Sequence, residues 1–440
     1  MIKRVRIKGY KSLNDFEADL SPLTVIFGPN ASGKSNFLDA LQLFSRMANL
    51  KTLKDAFDPP YRGRPVESFT YSENGIEGLL RKERVSFSFS VDIELSDSLI
   101  SQINKEINDM RKGLDPKNGK IKIIPAVKEK FLRYDLEVEF LPSQGFLRVF
   151  NESVTALKPD LTENKKRKPF LEKNENRLSL RMEGQAHPVF HDIGLDHTVL
   201  SLPLYPPHYP HITALKAELD NWRFFYLEPR ERMRAANPSK EITKLGMMGD
   251  DLAAFLNTIK HKEPEQKRFK AIERALHSII PAIDRIDTEI NSKTGEVELI
   301  VYENNVPISS RLISEGTLRL IGLLSIGAAE QGPYVICFEE PENGIHPRRI
   351  KLIAEYLKSV ADEYSQIIVT THSPILPDLL AVDSLYVCKK EHGRTTIKPF
   401  KETKPLFKQM DIQAALDEDE IIPFINVSMA WERVRIGAQP

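Results

Sequence analysis

Residues 28–35 have the sequence GPNASGKS, and this segment decides the fold class of the chain. It matches the phosphate-loop pattern G-x-x-x-x-G-K-[ST], and it lies between a predicted strand at 23–27 and an apolar-periodic helix predicted at about 35–47. The alternative interpretation is a glycine turn that merely begins a helix. The strand on one side and the helix on the other favour a phosphate-binding loop, because backbone N–H groups at a helix N-terminus bind phosphate oxygens.

The residues of this loop have separate predicted roles. Lys34 is expected to be exposed in a cleft and to reach the β- and γ-phosphates, and the Ser35 hydroxyl is expected to ligate Mg²⁺. The implied ligands are therefore ATP and Mg²⁺. The predicted nucleotide-binding residues of this segment are Gly28, Pro29, Asn30, Ala31, Ser32, Gly33, Lys34, Ser35 and Asn36.

Two later segments are typical of buried strands that end in polar side chains. Residues 334–342 (YVICFEEPE) end in carboxylates that include Glu339 and Glu340, and residues 366–374 (QIIVTTHSP) end in a turn that contains His372. Carboxylates at the carboxyl end of a parallel strand face the ligand crevice, where they can hold a metal and polarise a water molecule. In isolation, the first segment fits a solvated acidic loop and His372 fits a structural histidine. Their shared position after core strands favours a catalytic site.

A third segment, residues 312–317 (LISEGT), precedes a helix rich in Leu and Ile. Its glycine and hydroxyl groups can form another anion site at a helix N-terminus. On its own, this hexapeptide carries little information.

Composition limits the class of protein. The 440 residues include 62 Lys+Arg and 62 Asp+Glu, and 41% are hydrophobic, which excludes a disordered chain and a nucleic-acid coat with a basic excess. A nucleic-acid surface would have to be a local patch. Cys337 and Cys388 both lie in apolar runs, so we expect buried thiols and neither a disulfide framework nor a thiolate zinc site.

The sequence also predicts where the protein resides. It has no run of about 18 apolar residues, and its N-terminus lacks the apolar stretch of a signal peptide. We therefore expect a soluble cytoplasmic protein without a membrane partner.

The organisation along the chain predicts four regions. Residues 85–95 and 134–141 alternate polar and apolar side chains, as half-buried antiparallel strands do, and charged helices broken near 113–119 are predicted within 101–132. A strand is expected at 224–227, helices at 249–260 and 265–280, and a hairpin at 286–290 and 297–302. After residue 312, alternating helices and strands indicate a parallel sheet covered by helices. The predicted regions are an N-terminal lobe at 1–60, an insertion at 61–220, a C-terminal lobe at 221–400 and an extension at 401–440.

Taken in this order, the segments resemble the ABC-type ATPase heads of the SMC and RecF group, and residues 7–13 (IKGYKSL) look like the strand that begins those heads. The resemblance implies an α/β, ABC-type P-loop NTPase head. Such a head has a mixed or parallel sheet core covered by helices and an antiparallel β subdomain, here with a mixed α+β insertion. More narrowly, residues 339–347 and 371–374 are similar to the OLD-like (overcoming lysogenization defect) family and related bacterial predicted ATPases of the AAA type.

This resemblance implies roles for the downstream segments. Ser314, Glu315 and Gly316 would be the nucleotide-binding signature motif, Glu339 and Glu340 the Walker B pair, and His372 the switch histidine. Glu339 would ligate the metal together with Ser35, and Glu340, His372 and Glu339 would be catalytic. In the resembled heads, the signature of one protomer caps the γ-phosphate bound by its partner, which predicts an ATP-dependent head-to-tail homodimer.

The sequence departs from the family pattern in three ways. Glu339 stands where most ABC heads carry aspartate, so the division of labour between Glu339 and Glu340 stays open. No Q-loop glutamine can be identified in the variable middle. The stretch after His372 is too short for the Toprim nuclease domain of OLD nucleases, which we expect to be absent.

Several functions remain open. The ATP cycle would gate a separate nuclease or toxin in bacterial defence against phage, or the head would act directly on DNA in repair, as RecF and SMC heads do. Basic residues at 165–168 and Arg230, Arg232 and Arg234 are candidate DNA contacts, although such runs equally fit a solvated face. ABC transport is disfavoured because it needs a membrane partner.

Five histidines cluster in sequence and raise the alternative of a metal site. Prolines make their segment irregular, and no cysteine joins them, so packing or surface roles are favoured. These histidines are His187, His191, His197, His208 and His211.

Overall fold

The computed structural model of this chain describes residues 1–71, 74–114, 126–185, 187–262, 264–327, 335–361 and 365–403. In these ranges the strands, in chain order, are β1 (Ile2–Lys8), β2 (Phe16–Asp19), β3 (Leu23–Phe27), β4 (Val85–Glu94), β5 (Phe131–Leu141), β6 (Phe146–Leu157), β7 (Leu171–Asn174), β8 (Arg177–Leu180), β9 (Val189–Asp192), β10 (Trp222–Phe225), β11 (Asn237–Pro238), β12 (Ile283–Ile290), β13 (Glu296–Glu303), β14 (Val306–Ser309), β15 (Val335–Glu339), β16 (Gln366–Thr371), β17 (Leu385–Glu391) and β18 (Arg394–Pro399).

The helices connect these strands. They are α1 (Lys34–Asn49), α2 (Leu53–Phe57), α3 (Gly75–Leu80), α4 (Asp97–Leu114), α5 (Pro210–Asp220), α6 (Leu252–Lys262), α7 (Lys267–Ile279), α8 (Glu315–Ile326), α9 (Ile350–Val360), α10 (Ile375–Asp378) and α11 (Phe400–Thr403). Within the described ranges, no helix is long and apolar enough to cross a membrane.

The central sheet has six strands in the order β10-β15-β16-β3-β17-β18. The first five run parallel, and β18 pairs antiparallel to β17. The run VICF in β15 is buried on both faces of the sheet, as is typical of a parallel strand. Because the carboxyl ends of parallel strands meet at one edge, the turns that follow β3, β15 and β16 lie side by side.

Two apolar cores cover the two faces of this sheet. On one face, Val335 and Cys337 of β15 join a core with helix α1, in which Phe44 packs on Phe89 of β4 with ring centroids 5.7 Å apart. On the other face, Ile336 and Phe338 join a core that includes α8 and α9. The predicted parallel sheet covered by helices is confirmed.

An antiparallel sheet of eight strands packs on the outer side of α1, in the order β2-β1-β4-β5-β6-β7-β8-β9. The antiparallel strands predicted at 85–95 and 134–141 are confirmed as β4 and β5, which pair with Phe87 opposite Val138. Strand β1 pairs with β4, so this sheet continues across the predicted boundary at residue 60. The β strands of the predicted insertion therefore share one sheet with the N-terminal strands, while the division into four regions stays a prediction.

A smaller sheet contains β11, β13 and β12, with β14 also paired to β13. Strands β12 and β13 form the predicted hairpin, with Ile290 opposite Val297. The predicted helices at 249–260 and 265–280 correspond to α6 and α7. The strand predicted at 224–227 begins two residues earlier, as β10. The predicted helix break near 113–119 falls mostly in residues 115–125, and most of the predicted extension falls in residues 404–440, both outside the described residues.

Candidate functional site

The loop after β3 is held by a close approach to the β17–β18 hairpin. Gly33 has φ of 105°, in the region that favours glycine, and a Cβ there would lie 2.0 Å from Oγ1 of Thr395. A Cβ on Gly28 would lie 2.2 Å from the carbonyl oxygen of Cys388. Both glycines are therefore required, because the loop lies directly against the backbone and side chains of the hairpin.

A chain of hydrogen bonds supports this loop from below. Asn36 Nδ2 donates to Ser12 Oγ (2.8 Å), Ser12 and Thr395 share a hydrogen bond of 2.7 Å between their hydroxyls, and Thr395 Oγ1 donates to the carbonyl of Ser32 (2.7 Å). Thr395 is 2% exposed. Sequence reasoning identified Asn36 and Ser32 but missed Ser12 and Thr395, which lie far from the motif in sequence.

Lys34 lies at the centre of the loop but is not exposed in a cleft as predicted. It is 4% exposed, because its Nζ donates to the carbonyls of Gly28 (2.6 Å) and Pro29 (2.7 Å) and lies 3.3 Å from Nδ1 of His372. The carbonyls of the loop thus solvate the ammonium group. The predicted contact of Lys34 with the β- and γ-phosphates stays a prediction, and it would need the ammonium group to turn from these carbonyls to phosphate oxygens.

Ser35, at the start of α1, meets the carboxylate that follows β15. Its hydroxyl donates to Oε1 of Glu339. The other carboxylate oxygen of Glu339 lies 2.9 Å from Nη2 of Arg62, and the same guanidinium lies 2.9 Å from Oδ1 of Asp39. Lys11 Nζ lies 2.9 Å from the second oxygen of Asp39. Burial alone would lower the pKa of Arg62, but the carboxylates of Asp39 and Glu339 outweigh this effect and raise the pKa.

The donor set at Ser35 and Glu339 fits a magnesium ion. A hydroxyl and a carboxylate are hard oxygen ligands, and Mg²⁺ is bound in proteins by one or two carboxylates together with substrate phosphates. The cationic guanidinium of Arg62 already lies against this carboxylate. Arg62 and Asp39 were missed by sequence reasoning, although Asp39 lies one helical turn after Ser35 on α1.

Glu340 and His372 form the second pair at this edge of the sheet. Oε1 of Glu340 lies 3.0 Å from Nε2 of His372, and Glu340 has φ of 50°. The hydrogen bond from His372 lowers the pKa of the Glu340 carboxyl against the opposing effect of burial. Because Nδ1 of the same ring faces Lys34, His372 lies between Lys34 and Glu340.

Glu342 ties the turns after β15 and β16 together. Its side chain is buried and accepts a hydrogen bond from the hydroxyl of Thr371, and the Thr371 hydroxyl in turn accepts from the N–H of Ser373 (2.9 Å). Burial raises the pKa of the Glu342 carboxyl. Glu342 is the last residue of the segment 334–342, for which the sequence indicated no separate role, and its contacts hold the two turns in position.

The predicted signature residues form a second group, at the N-terminus of α8. Ser314 Oγ accepts from the N–H of Thr317 (3.2 Å) and caps the helix, and Glu315 pairs with Arg230 (3.2 Å). A Cβ on Gly316 would lie 2.5 Å from the carbonyl oxygen of Gly344, so α8 packs closely on the turn after Glu340. Ser314 itself is exposed.

The arginines among the basic residues proposed as DNA contacts have partners within the chain. Arg232 lies 3.6 Å from Asp250, and Arg234 Nη2 donates to the carbonyl of Ile313 (3.0 Å), next to the signature. In the other basic run, Arg167 pairs with Glu183 (2.7 Å). These contacts hold local structure in place, and direct DNA binding stays a prediction.

His211, one of the five clustered histidines, has a packing role. Its ring is buried and stacks on Phe170 at 4.3 Å, its Nδ1 lies 2.8 Å from Glu183, and its Nε2 accepts from the N–H groups of Lys128 and Glu129. Both ring nitrogens are therefore used in protein contacts.

Known proteins resemble this chain in sequence and in fold. The DNA replication and repair protein RecF of Streptococcus uberis is 28% identical over 105 residues, which are 23% of this chain and 26% of that protein. The OLD nuclease of Thermus scotoductus is 44% identical over 43 residues, which are 10% of this chain and 8% of that protein. The chain thus matches only a small part of each relative.

Among solved structures, an SMC head bound to the C-terminal winged-helix domain of ScpA matches 92% of this chain and 99% of its own length. The TM-score is 0.50 and the identity 14%, so this likeness shows the fold alone. The α/β fold of a P-loop NTPase is confirmed, and together with the RecF and OLD nuclease matches it supports an ABC-type ATPase head. The narrower OLD-like grouping stays a prediction.

A family match covers most of the chain. It extends over residues 23–378 and thus includes the predicted phosphate loop, Glu339, Glu340 and His372. The chain therefore belongs to the family described as "AAA domain, putative AbiEii toxin, Type IV TA system", and it carries an ATP-hydrolysing domain.

Proposed function

We propose that this protein binds ATP and Mg²⁺ at the phosphate loop, dimerises head-to-tail around the nucleotide, and uses hydrolysis to gate a separate effector in bacterial defence against phage. One observation carries the enzymatic part of this proposal. Lys34, Ser35, Glu339, Glu340 and His372 come from three separate segments and meet at one edge of the central sheet.

The geometry supports specific roles for these residues in phosphoryl transfer. The N–H groups of the loop and Nζ of Lys34 would bind the β- and γ-phosphates, and Ser35 and Glu339 would hold Mg²⁺. When bound, the ion would neutralise charge on the phosphate oxygens. Glu340 would orient the attacking water and accept its proton, and His372 would hold the Glu340 carboxylate through Nε2.

The position of the signature group supports the proposed dimer. Ser314 is exposed at the N-terminus of α8, and the N–H groups and dipole at a helix N-terminus attract an anion. Leu312, two residues before it, is 80% exposed. A γ-phosphate held by the partner's loop would complete this site. Nucleotide would then bind the dimer more tightly than the monomer, so that ATP drives association and hydrolysis releases it.

Substitution of the Walker B glutamates tests this cycle. Glu340→Gln should slow hydrolysis by about 10²-fold or more while ATP binding persists, because the water loses its base but the loop is unchanged. Light scattering should then show an ATP-dependent dimer that does not dissociate. Glu339→Gln should instead weaken Mg²⁺-dependent ATP binding. If Glu339→Gln traps the dimer and Glu340→Gln does not, the two carboxylates have the opposite roles.

The support for a separate effector is less direct than the support for ATP hydrolysis. The family description names a putative toxin of a type IV toxin–antitoxin system, which supports a system of two proteins. Purification of the tagged Glu340→Gln protein with its neighbouring gene products tests this part. A nuclease or toxin subunit retained with ATP and released without it supports the proposal, and the absence of any retained gene product contradicts it.

A second candidate is a RecF-like or SMC-like ATPase that acts directly on DNA. The match to a DNA replication and repair protein favours it. Binding of the isolated protein to duplex DNA, with an affinity that falls steeply as salt rises, would support this alternative. Salt-independent or undetectable DNA binding would leave the effector proposal as the better account.

A further inference from the structure

Arg62 lies at the centre of a group of charged side chains beside Ser35. Its Nη2 lies 2.9 Å from Oε2 of Glu339, and its Nη1 donates to Oε1 of the same carboxylate (3.3 Å). Its Nε and Nη2 also donate to Oδ1 of Asp39, at 3.0 Å and 2.9 Å. One guanidinium therefore bridges two carboxylates, one on α1 and one at the end of β15.

The two carboxylates lie close together and are shielded from solvent. Because Nη2 of Arg62 lies 2.9 Å from an oxygen of each, those two oxygens are separated by no more than about twice that distance. The side chains of Asp39 and Glu339 are only 7% and 10% exposed. Two like charges at this separation repel each other, and little water screens them. The guanidinium between them offsets this repulsion.

The two carboxylates differ in what else they contact. Oδ1 of Asp39 is bound by Arg62 and its Oδ2 by Nζ of Lys11 (2.9 Å), so both of its oxygens face cations. Oε1 of Glu339 also accepts the hydroxyl hydrogen of Ser35, while its Oε2 is held by Arg62. Glu339 is therefore fixed with one oxygen towards Ser35, whereas Asp39 is held on both sides by cations.

The loop that carries Arg62 is anchored on both sides. Arg46 of α1 donates to three carbonyls of residues 55–58, just before the loop. Tyr61 is 5% exposed, and its hydroxyl lies 2.8 Å from that of Tyr10. The backbone that presents the guanidinium is therefore fixed. The side chain of Arg62 is itself 49% exposed, so it can be replaced without opening the apolar core.

We propose that Arg62 is a positioning residue of the metal site, which keeps Asp39 from binding the metal and directs one oxygen of Glu339 towards it. This inference rests on the proposed function, in which Ser35 and Glu339 hold Mg²⁺. Asp39 lies one helical turn after Ser35, on the same face of α1, so without Arg62 it would become a second carboxylate at this site.

The consequence is that metal binding depends on the nucleotide. Mg²⁺ is bound in proteins by one or two carboxylates together with substrate phosphates, and affinity for a divalent cation depends on the number of charged ligands. A site with one available carboxylate needs the phosphates of ATP to bind the metal tightly. A site with both carboxylates released would bind the metal without ATP.

Mn²⁺ binding in the absence of nucleotide tests this role. Mn²⁺ suits the same oxygen ligands as Mg²⁺, and the free ion is measured directly by electron paramagnetic resonance. The wild-type protein should bind MnCl2 weakly. Arg62→Gln should bind it about tenfold more tightly or better, because Asp39 gains access to the metal. Arg64→Gln, at an exposed position of the same loop, should match the wild type.

A second substitution assigns this gain to Asp39. Combining Asp39→Asn with Arg62→Gln should return the Mn²⁺ affinity to the wild-type value. Asp39→Asn alone should leave Mn²⁺ binding in the presence of ATP unchanged, because Asp39 is not a ligand when Arg62 is present. This single variant decides the matter if Arg62→Gln does not fold.

The results that would overturn this role are distinct from those that bear on the proposed function. Equal Mn²⁺ affinity in Arg62→Gln and the wild type, a gain that persists in the double variant, or weaker Mn²⁺ binding in Asp39→Asn with ATP present overturns it. Equilibrium dialysis of the wild-type protein with ATP is the separate arm. A wild-type protein that binds no ATP contradicts the proposed function, whereas intact ATP binding together with any of the three results above contradicts only the role of Arg62.

Discussion

Thr395 donates a hydrogen bond of 2.7 Å to the carbonyl oxygen of Ser32, across 363 residues of sequence. This contact places the β17–β18 hairpin directly beneath the phosphate loop, where Oγ1 of Thr395 occupies the space that a side chain at Gly33 would need. The shape of the loop is therefore fixed by a strand from the C-terminal part of the described chain.

Removal of this hydroxyl should loosen the loop without touching the nucleotide. Thr395→Val leaves the carbonyl of Ser32 and the hydroxyl of Ser12 without their partner, which should cost about 1–3 kcal/mol of stability and raise the KM for ATP several-fold. Thr395→Ser keeps the hydroxyl and should restore the KM. Steady-state kinetics and thermal unfolding of both variants check this. A wild-type KM for ATP in Thr395→Val would show that the hairpin does not fix the shape of the loop.

The two cysteines should be inert in the native protein. Cys337 and Cys388 are 1% and 0% exposed, and burial raises the pKa of both thiols, so the reactive thiolate is scarce and shielded. The described chain contains both cysteines of the sequence. A thiol-reactive dye at pH 8 should label neither in the folded state and both after denaturation. Rapid labelling of either thiol in the native protein would contradict the burial of β15 or β17.

A buried carboxyl on β6 should make stability depend on pH. Glu152 is fully buried and accepts from the N–H groups of Val199 and Leu200 and from the hydroxyl of Tyr134, yet burial raises its pKa to about 7. The folded state therefore holds the proton more tightly than the unfolded state. Glu152 contributes its full stabilisation at pH values below its pKa in the unfolded chain. This stabilisation is lost as the pH rises through about 7, the pKa of Glu152 in the folded protein.

The size of this effect is measurable. The shift in the pKa of Glu152 corresponds to a fall of at most about 3 kcal/mol in the free energy of unfolding between pH 4 and pH 8. Urea unfolding as a function of pH should show that decline in the wild type and a flatter profile in Glu152→Gln, whereas Glu106→Gln, at an exposed helical position, should keep the wild-type slope. An identical slope in Glu152→Gln would place the titrating group elsewhere.

The site residues that lie within a recognisable local motif could be predicted from the sequence. The glycine-rich loop at 28–35, the glutamates Glu339 and Glu340, and His372 lie at or directly after the ends of apolar strands, so the strand pattern and the residue types located them. The parallel order of β15, β16 and β3 then brings those turns together.

The remaining parts depend on contacts between distant segments, which no local pattern encodes. Arg62 meets Glu339 across 277 residues, and Ser12 meets Thr395 across 383. The burial of Lys34 was not predictable either, because it results from the carbonyls of Gly28 and Pro29 turning inward around its ammonium group. A strand pattern also could not show that β1 pairs with β4, since that register depends on the whole eight-stranded sheet.

In the proposed dimer, each ATP is bound between the phosphate loop of one protomer and the signature group of its partner. Ser314→Arg should place a bulky cation in the γ-phosphate site of the partner and block closure, while nucleotide binding at its own loop persists. Lys34→Ala should lose ATP binding or hydrolysis at its own loop, whereas Lys54→Ala, at an exposed position on α2, should not. The Ser314→Arg protein and the Lys34→Ala protein should each be inactive when assayed alone.

A mixture of Ser314→Arg and Lys34→Ala proteins tests this claim most directly. In a heterodimer the two lesions fall in one composite site, and the other site pairs an intact loop with an intact signature. Partial recovery of ATPase activity is expected on mixing. ATP-dependent dimers should be seen by light scattering even if the two sites are coupled. Full activity of Ser314→Arg alone, with the protein remaining monomeric in ATP, would contradict it.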